Sequence, residues 1–108
     1  ILVKVHYSSI CHTQLQEIQM DRGKDFYLPH CLGHEGVGVV KKVYKNCKSF
    51  KRNDLVCLTW VKSGRTISNG NVYLNSKGKK INSGPVHTLN EYAVVDQSRI
   101  YKLSDKKK

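Results

Sequence analysis

A valine run interrupted by glycine, GVGVVKKV at residues 36–43, constrains the fold of this chain more than any other stretch. β-Branched residues in close succession favour an extended strand. A glycine inside such a run has no side chain to pack, so it marks a place where other backbone must come close. Comparable short apolar runs recur. In ILVKVHYSS, residues 1–9, alternation puts Ile1, Val3, Val5 and Tyr7 on one face and Leu2, Lys4, His6 and Ser8 on the other. NDLVCLTW (53–60), NVYL (71–74), EYAVVD (91–96) and RIYKL (99–103) read as further strands. One helical segment is expected at TQLQEIQM (13–20), with Leu15 and Ile18 three apart and Thr13 as its cap. DRGKDFYLPH (21–30) is a loop, and 62–84 is a long polar excursion rich in Gly, Ser, Asn and Lys. The pattern predicts a mainly β domain, a small barrel or sandwich, with one or two short helices.

A chain of 108 residues, 39% of them hydrophobic, fits one domain that buries its own core without disulfides. No apolar run is long enough to span a bilayer, and no cleavage pattern follows the opening ILVKV, so a cytoplasmic setting and no membrane partner are expected. The chain opens directly in a predicted strand without methionine, which suggests an incomplete N-terminus. Cys11, Cys31, Cys47 and Cys57 form no CxxC pair and are expected as free thiols or metal ligands. The net charge of +11 raises the question of a polyanion partner. Lysine dominates it, KSFKR and SDKKK look like exposed edges, and no aromatics are interleaved as in RNA-binding sheets, so nucleic acid is not the expected partner.

The residues with most chemistry are Cys11, followed by His12 and Thr13, and His34, followed by Glu35. Thiolate and imidazole suit zinc, and catalytic zinc takes ligands from scattered loops rather than tight pairs. His34 lies between Gly33 and Gly36, so its backbone can be placed tightly, and Glu35 is either a ligand or a residue that orients one. On residue type alone, a buried thiol and an exposed imidazole explain the pair as well.

Cys11-His12-Thr13 followed by Gly33-His34-Glu35-x-x-Gly38 resembles the zinc-dependent alcohol dehydrogenases of the medium-chain dehydrogenase/reductase family. SFKRNDLVCL, with Asp54, and LNEYAVV, with Glu91 and Tyr92, are similar to later elements of that family, so the resemblance covers nearly the whole chain. It implies a GroES-like β-barrel, the catalytic domain over 1–108, incomplete at its N-terminal edge and lacking the nucleotide-binding domain. It implies that Cys11 and His34 are two of three protein ligands to a catalytic zinc, with Glu35 against the metal. The third ligand, a later cysteine, lies outside this chain. Thr13 would pass the substrate alcohol's proton outward, His12 would face the pyrophosphate of NAD(P), and Trp60 would line the substrate pocket. Zinc then acts as a Lewis acid on an alcohol or aldehyde whose hydride is exchanged with the nicotinamide. Without the resemblance, Thr13 is a helix cap, His12 a surface imidazole and Trp60 core. Cys31, Cys47, Cys57, His6, His30 and His87 are read as non-ligands.

The chain departs from the family pattern at several points. Tyr44 and Asn53 stand where glycine is usual, Gln14 where many members have Asp supporting the zinc shell, and Gln16 where a relay histidine is common. Residues 62–84 hold no cysteine, so no structural zinc is expected. The expected function is a catalytic-domain portion of an alcohol dehydrogenase, inactive alone. The competing readings are a free-standing GroES-like binding module without catalysis and a basic nucleic-acid-binding barrel.

Overall fold

The computed structural model describes residues 1–64 and 70–103. The lysine tail, expected to be frayed, lies outside them. The described strands are β1 (Leu2–Ser8), β2 (Gly36–Lys42), β3 (Leu55–Leu58), β4 (Val72–Leu74), β5 (Lys80–Asn82), β6 (Tyr92–Val94) and β7 (Ile100–Lys102). One α-helix, α1 (His12–Gln19), and a 3-10 turn at Gln97–Arg99 complete the set. The expected mainly β class with one or two short helices is what the chain adopts. Strands β6-β1-β2-β3-β7 form a five-stranded antiparallel sheet, and β4 and β5 form a separate hairpin. Strand β5 is the element missed in sequence, because Lys80-Ile81-Asn82 is too short and polar to show alternation.

The glycines of β2 do what the valine run implied. A Cβ on Gly38 would stand 2.4 Å from the Lys4 carbonyl oxygen, and one on Gly36 would stand 2.7 Å from that of Tyr7. Bare backbone at these two positions lets β1 lie against β2. The β1 alternation holds only part way. Ile1 and Val3 are buried, but Tyr7 is 78% exposed. The register shifts between Val5, opposite Gly38, and Tyr7, opposite Val37, so the strand bulges and its faces exchange.

The core is aliphatic: Ile1, Val3, Val40, Val56, Leu58, Val86, Ala93, Val95 and Ile100. Burying an aliphatic side chain of this kind is worth roughly 1.5–3 kcal/mol, against about 0–1 kcal/mol for an exposed ion pair, so this cluster dominates stability. Asp54 is buried at the β2–β3 turn, where its carboxylate accepts from Lys51 N and pairs with Lys102 Nζ at 2.9 Å. These partners, Lys102 first, hold its carboxyl below the usual range. Asn53 beside it takes φ +73, so the departure from glycine there is met by a residue that tolerates the left-handed region. Met20 is the other described non-glycine residue with positive φ, so Tyr44 sits where glycine's freedom is not needed.

A buried polar chain links the hairpin to β6. Tyr73 Oη and His87 Nε2 are 2.7 Å apart, His87 Nδ1 and Asn90 Oδ1 are 2.7 Å apart, and Val94 N donates to Tyr73 Oη at 3.0 Å. The consistent assignment has His87 neutral, donating from Nδ1 to Asn90 and accepting the Tyr73 hydroxyl proton at Nε2. Burial lowers the His87 pKa, opposed by Asn90.

Two outcomes are expected. Gly38→Ala should destabilise the domain by roughly 1–3 kcal/mol through overpacking against β1, read as a lower midpoint in thermal unfolding. Because the folded-state pKa of His87 lies below its ordinary value, the unfolded chain binds the proton more readily. Stability should therefore fall as pH drops below about 6.5, and His87→Gln should flatten that part of the pH–stability curve.

Candidate metal centre

The site forms where β1 ends and β2 begins. Helix α1 follows β1 after a short link, with Cys11 as its N-cap residue (φ −81, ψ 149) and His12 and Thr13 as its first two helical residues. Thr13 is therefore inside the helix and is not its cap. Cys11 makes no side-chain cap hydrogen bond, but the Thr13 hydroxyl, first, and the Thr13 backbone N–H hold its thiol below its ordinary pKa. A thiol at a helix N-terminus is biased toward thiolate, the form that binds metals. His12 is exposed beside it.

Helix α1 turns an unexpected face inward. Leu15 and Ile18, the apolar pair, are 45% and 60% exposed, whereas Gln14 is fully buried. The amide of Gln14 is the inward anchor: its Oε1 accepts from Gly33 N at 2.6 Å, and its Nε2 lies 3.1 Å from His34 Nδ1 and 3.0 Å from His34 Nε2. The turn that presents His34 requires glycine before it. Gly33 has φ +100, and a Cβ there would meet Thr88 Oγ1 at 2.3 Å. Thr88 N and Leu89 N both donate to Leu32 O, and Thr88 Oγ1 lies 2.8 Å from Ser8 Oγ, so this turn is tied to β1. Sequence reasoning missed Thr88, since nothing local distinguishes it.

Glu35 turns toward Ser9. Its Oε2 accepts from Ser9 Oγ at 2.9 Å and its carbonyl from Ser9 N at 3.0 Å. Its charge is close enough to raise the thiol pKa of Cys11 and, behind burial, that of Cys57.

His34 faces the other way, into a cleft of about 510 Å³. Its ring packs on Trp60, centroids 4.8 Å apart, and its Nε2 is 3.9 Å from Glu17 Oε1. The Arg99 guanidinium lies 5.5 Å from the centroid of the Trp60 ring, and Arg99 Nη1 also donates to the Trp60 carbonyl. Trp60 is 49% exposed, so it is a cleft wall rather than core. Opposite, the 21–30 loop is stitched to β5: Asn82 Nδ2 donates to Tyr27 O, and Asn82 N to Pro29 O. His30 holds the loop from inside. Its Nδ1 is 3.0 Å from Cys31 O and its Nε2 2.5 Å from Asp25 Oδ2. Two acceptors on two ring nitrogens are satisfied together only by the imidazolium. Burial opposes that charge, but the Cys31 carbonyl and Asp25 outweigh it and raise the His30 pKa. Sequence gave no reason to single out this pair.

Among the described residues, no three His, Cys, Asp or Glu side chains converge as a group that would hold a metal ion. The donor types suit zinc, with a thiolate-biased Cys11 and an imidazole at His34. Around His34, the Gln14 amide nitrogen is almost equidistant from the two ring nitrogens, so it lies over the ring face and leaves the in-plane lone-pair direction free. Among the described residues, no helix is long and apolar enough to cross a membrane.

Residues 1–105 match the sequence profile described as the alcohol dehydrogenase GroES-like domain. Alcohol dehydrogenase-like 1 of Arabidopsis thaliana is 30% identical over 130 residues, covering 96% of this chain and 34% of that protein. An alcohol dehydrogenase of Geobacillus stearothermophilus is 41% identical over 63 residues, covering 58% of this chain and 19% of that protein. Another, from Schizosaccharomyces pombe, is 38% identical over 63 residues, covering 58% of this chain and 18% of that protein. The chain thus spans about a third or less of the length of these relatives.

Asp25→Asn should bring the His30 pKa back down toward its ordinary value. Titration of the His30 ring by NMR would show it, with no change expected in that of His87.

Proposed function

The chain belongs to the alcohol dehydrogenase GroES-like domain family, and on that premise we propose that it is the catalytic-domain portion of a zinc- and NAD(P)-dependent dehydrogenase acting on small alcohols or aldehydes in the cytoplasm. The observation that carries this reading is the family match over residues 1–105, joined to a Gly33-His34 turn that places His34 on a cleft wall beside Trp60. Four free thiols accord with a reducing compartment.

In this reading Cys11 and His34 supply two of three protein ligands to the zinc, and the third comes from sequence beyond this chain. The aliphatic part of the substrate lies in the cleft, with Trp60 as its wall and the 21–30 loop, clasped by His30 and Asp25, as its floor. Thr13 carries the proton path, its hydroxyl lying at the start of α1, where it lowers the Cys11 thiol pKa. Where many relatives of this family continue the path through a histidine, Gln16 stands here, so water takes that place. His12, exposed at the helix N-terminus, faces the anionic pyrophosphate of the nucleotide, where helix N–H groups favour negative charge. The nucleotide-binding domain is a partner rather than part of these residues, so the chain alone is expected to give no turnover. A GroES-like module that has lost its chemistry is the second reading, favoured by the lysine-rich composition with its net charge of +11.

With zinc supplied, Cys11→Ser and His34→Ala should each lower zinc affinity, measured by competition with a chromophoric chelator, and the unmodified chain should show no alcohol-dependent reduction of NAD or NADP. Zinc affinity unchanged in both variants would sink the ligand assignment. Turnover by the chain alone would sink the division of the active site between two domains.

A further inference from the structure

The cleft beside His34 carries more charge than a pocket for small neutral alcohols needs. Glu17, Arg22, Lys24, Asp25 and His30 all line it. Its acidic side chains face partners within the protein. Asp25 accepts from Tyr27 N through Oδ1 at 2.9 Å and pairs with His30 Nε2 through Oδ2 at 2.5 Å. Glu17 Oε1 is turned toward His34, 3.9 Å from Nε2. The basic side chains on the loop, Arg22 and Lys24, have no such answer. The ion pairs among the described residues are His30–Asp25, His34–Glu17 and Lys102–Asp54, and none of them uses either cation.

A lysine-rich surface leaves many cations unpaired, but these two stand among exposed aromatic rings. Phe26 and Tyr27 are 81% and 73% exposed, and both line the cleft together with Trp60. Lys24 Nζ lies 5.8 Å from the Phe26 ring centroid, within cation–π reach, a contact that leaves its N–H groups free to donate. Flat rings left in water gain most from a flat partner, and a guanidinium with an ammonium beside it suits a carboxylate or phosphate. Ligand pockets are built in this way, from apolar and aromatic walls with a few polar groups that fix orientation.

We propose that the cleft selects aromatic alcohols or aldehydes that carry an anionic group, with Arg22 and Lys24 holding the anion while the ring packs among Trp60, Phe26 and Tyr27. This rests on the reading of the cleft as a substrate site and names the class of substrate it takes. Arg22 and Lys24 then set specificity from the end of the ligand away from the reacting carbon.

The test compares two ligands of similar shape on the whole chain, para-(hydroxymethyl)benzoate and para-methylbenzyl alcohol. Trp60 is the chain's single tryptophan, so its indole N–H resonance reports the cleft directly. At low salt the benzoate should bind at least about fivefold tighter, the order expected of an exposed charge pair, and added salt should shrink the difference. Arg22→Gln combined with Lys24→Gln should remove the preference and leave the affinity for para-methylbenzyl alcohol unchanged. Should the double variant disturb the loop, each single substitution should remove part of the preference. Lys45→Gln combined with Lys48→Gln takes the same charge from outside the cleft and should keep the preference, which separates recognition in the cleft from the net charge of +11. Equal affinity for the two ligands, a preference that survives loss of Arg22 and Lys24, or one that is lost with Lys45 and Lys48 would each overturn the proposal while leaving the cleft as a site for neutral alcohols. An indole resonance that moves with neither ligand would overturn it together with the substrate reading of the cleft.

Discussion

The close approach of β1 and β2 is the constraint on which the rest of the molecule depends. Two bare glycines, Gly36 and Gly38, let one strand lie against the carbonyls of the other at distances that a Cβ would forbid. The pairing matters for more than the sheet. Cys11 follows the end of β1, and His34 and Glu35 precede the start of β2. In an antiparallel pair those ends lie side by side, so the register Ser8–Gly36 brings the two halves of the motif together. Strands β6, β3 and β7 extend this pair, and an aliphatic core packs against the sheet they form.

Within that frame the site divides into two environments. On one side Cys11, Thr13, Glu35 and Ser9 form a polar, open cluster at the start of α1, where helix N–H groups and the Thr13 hydroxyl favour a thiolate. On the other, His34 and Trp60 face a cleft whose far wall is the 21–30 loop, held by an imidazolium between a carbonyl and a carboxylate. Gln14 stands between them. Its buried amide ties the helix to the Gly33 turn and so gives the site its rigidity. The same side chain packs its amide nitrogen over the His34 ring.

Leu15 and Ile18, three apart in the helix, are exposed, and the helix buries Gln14 instead. With only eight residues, α1 has too few turns for apolar spacing to decide its orientation. Burying Gln14 lets its Oε1 accept from Gly33 N at 2.6 Å, and leaving such a buried amide unpaired would cost about 1–3 kcal/mol.

By itself the sequence determined the mainly β class, the position of the glycine-bearing strand and the identity of the Cys-His-Thr and Gly-His-Glu elements, because alternation, glycine and motif residues are local signals. It also indicated that Asn53 and Gln14 were unusual at their positions. It could not show the bulge that turns Tyr7 outward, the β5 strand, or Thr88 and the His30–Asp25 clasp, since each depends on partners distant in sequence or on register. Nor could it show which way the amide of Gln14 points. That was decided only when tertiary structure set the Gly33 N–H on one side of it and the His34 ring on the other, because hydrogen-bond polarity is a property of the pair and not of the residue.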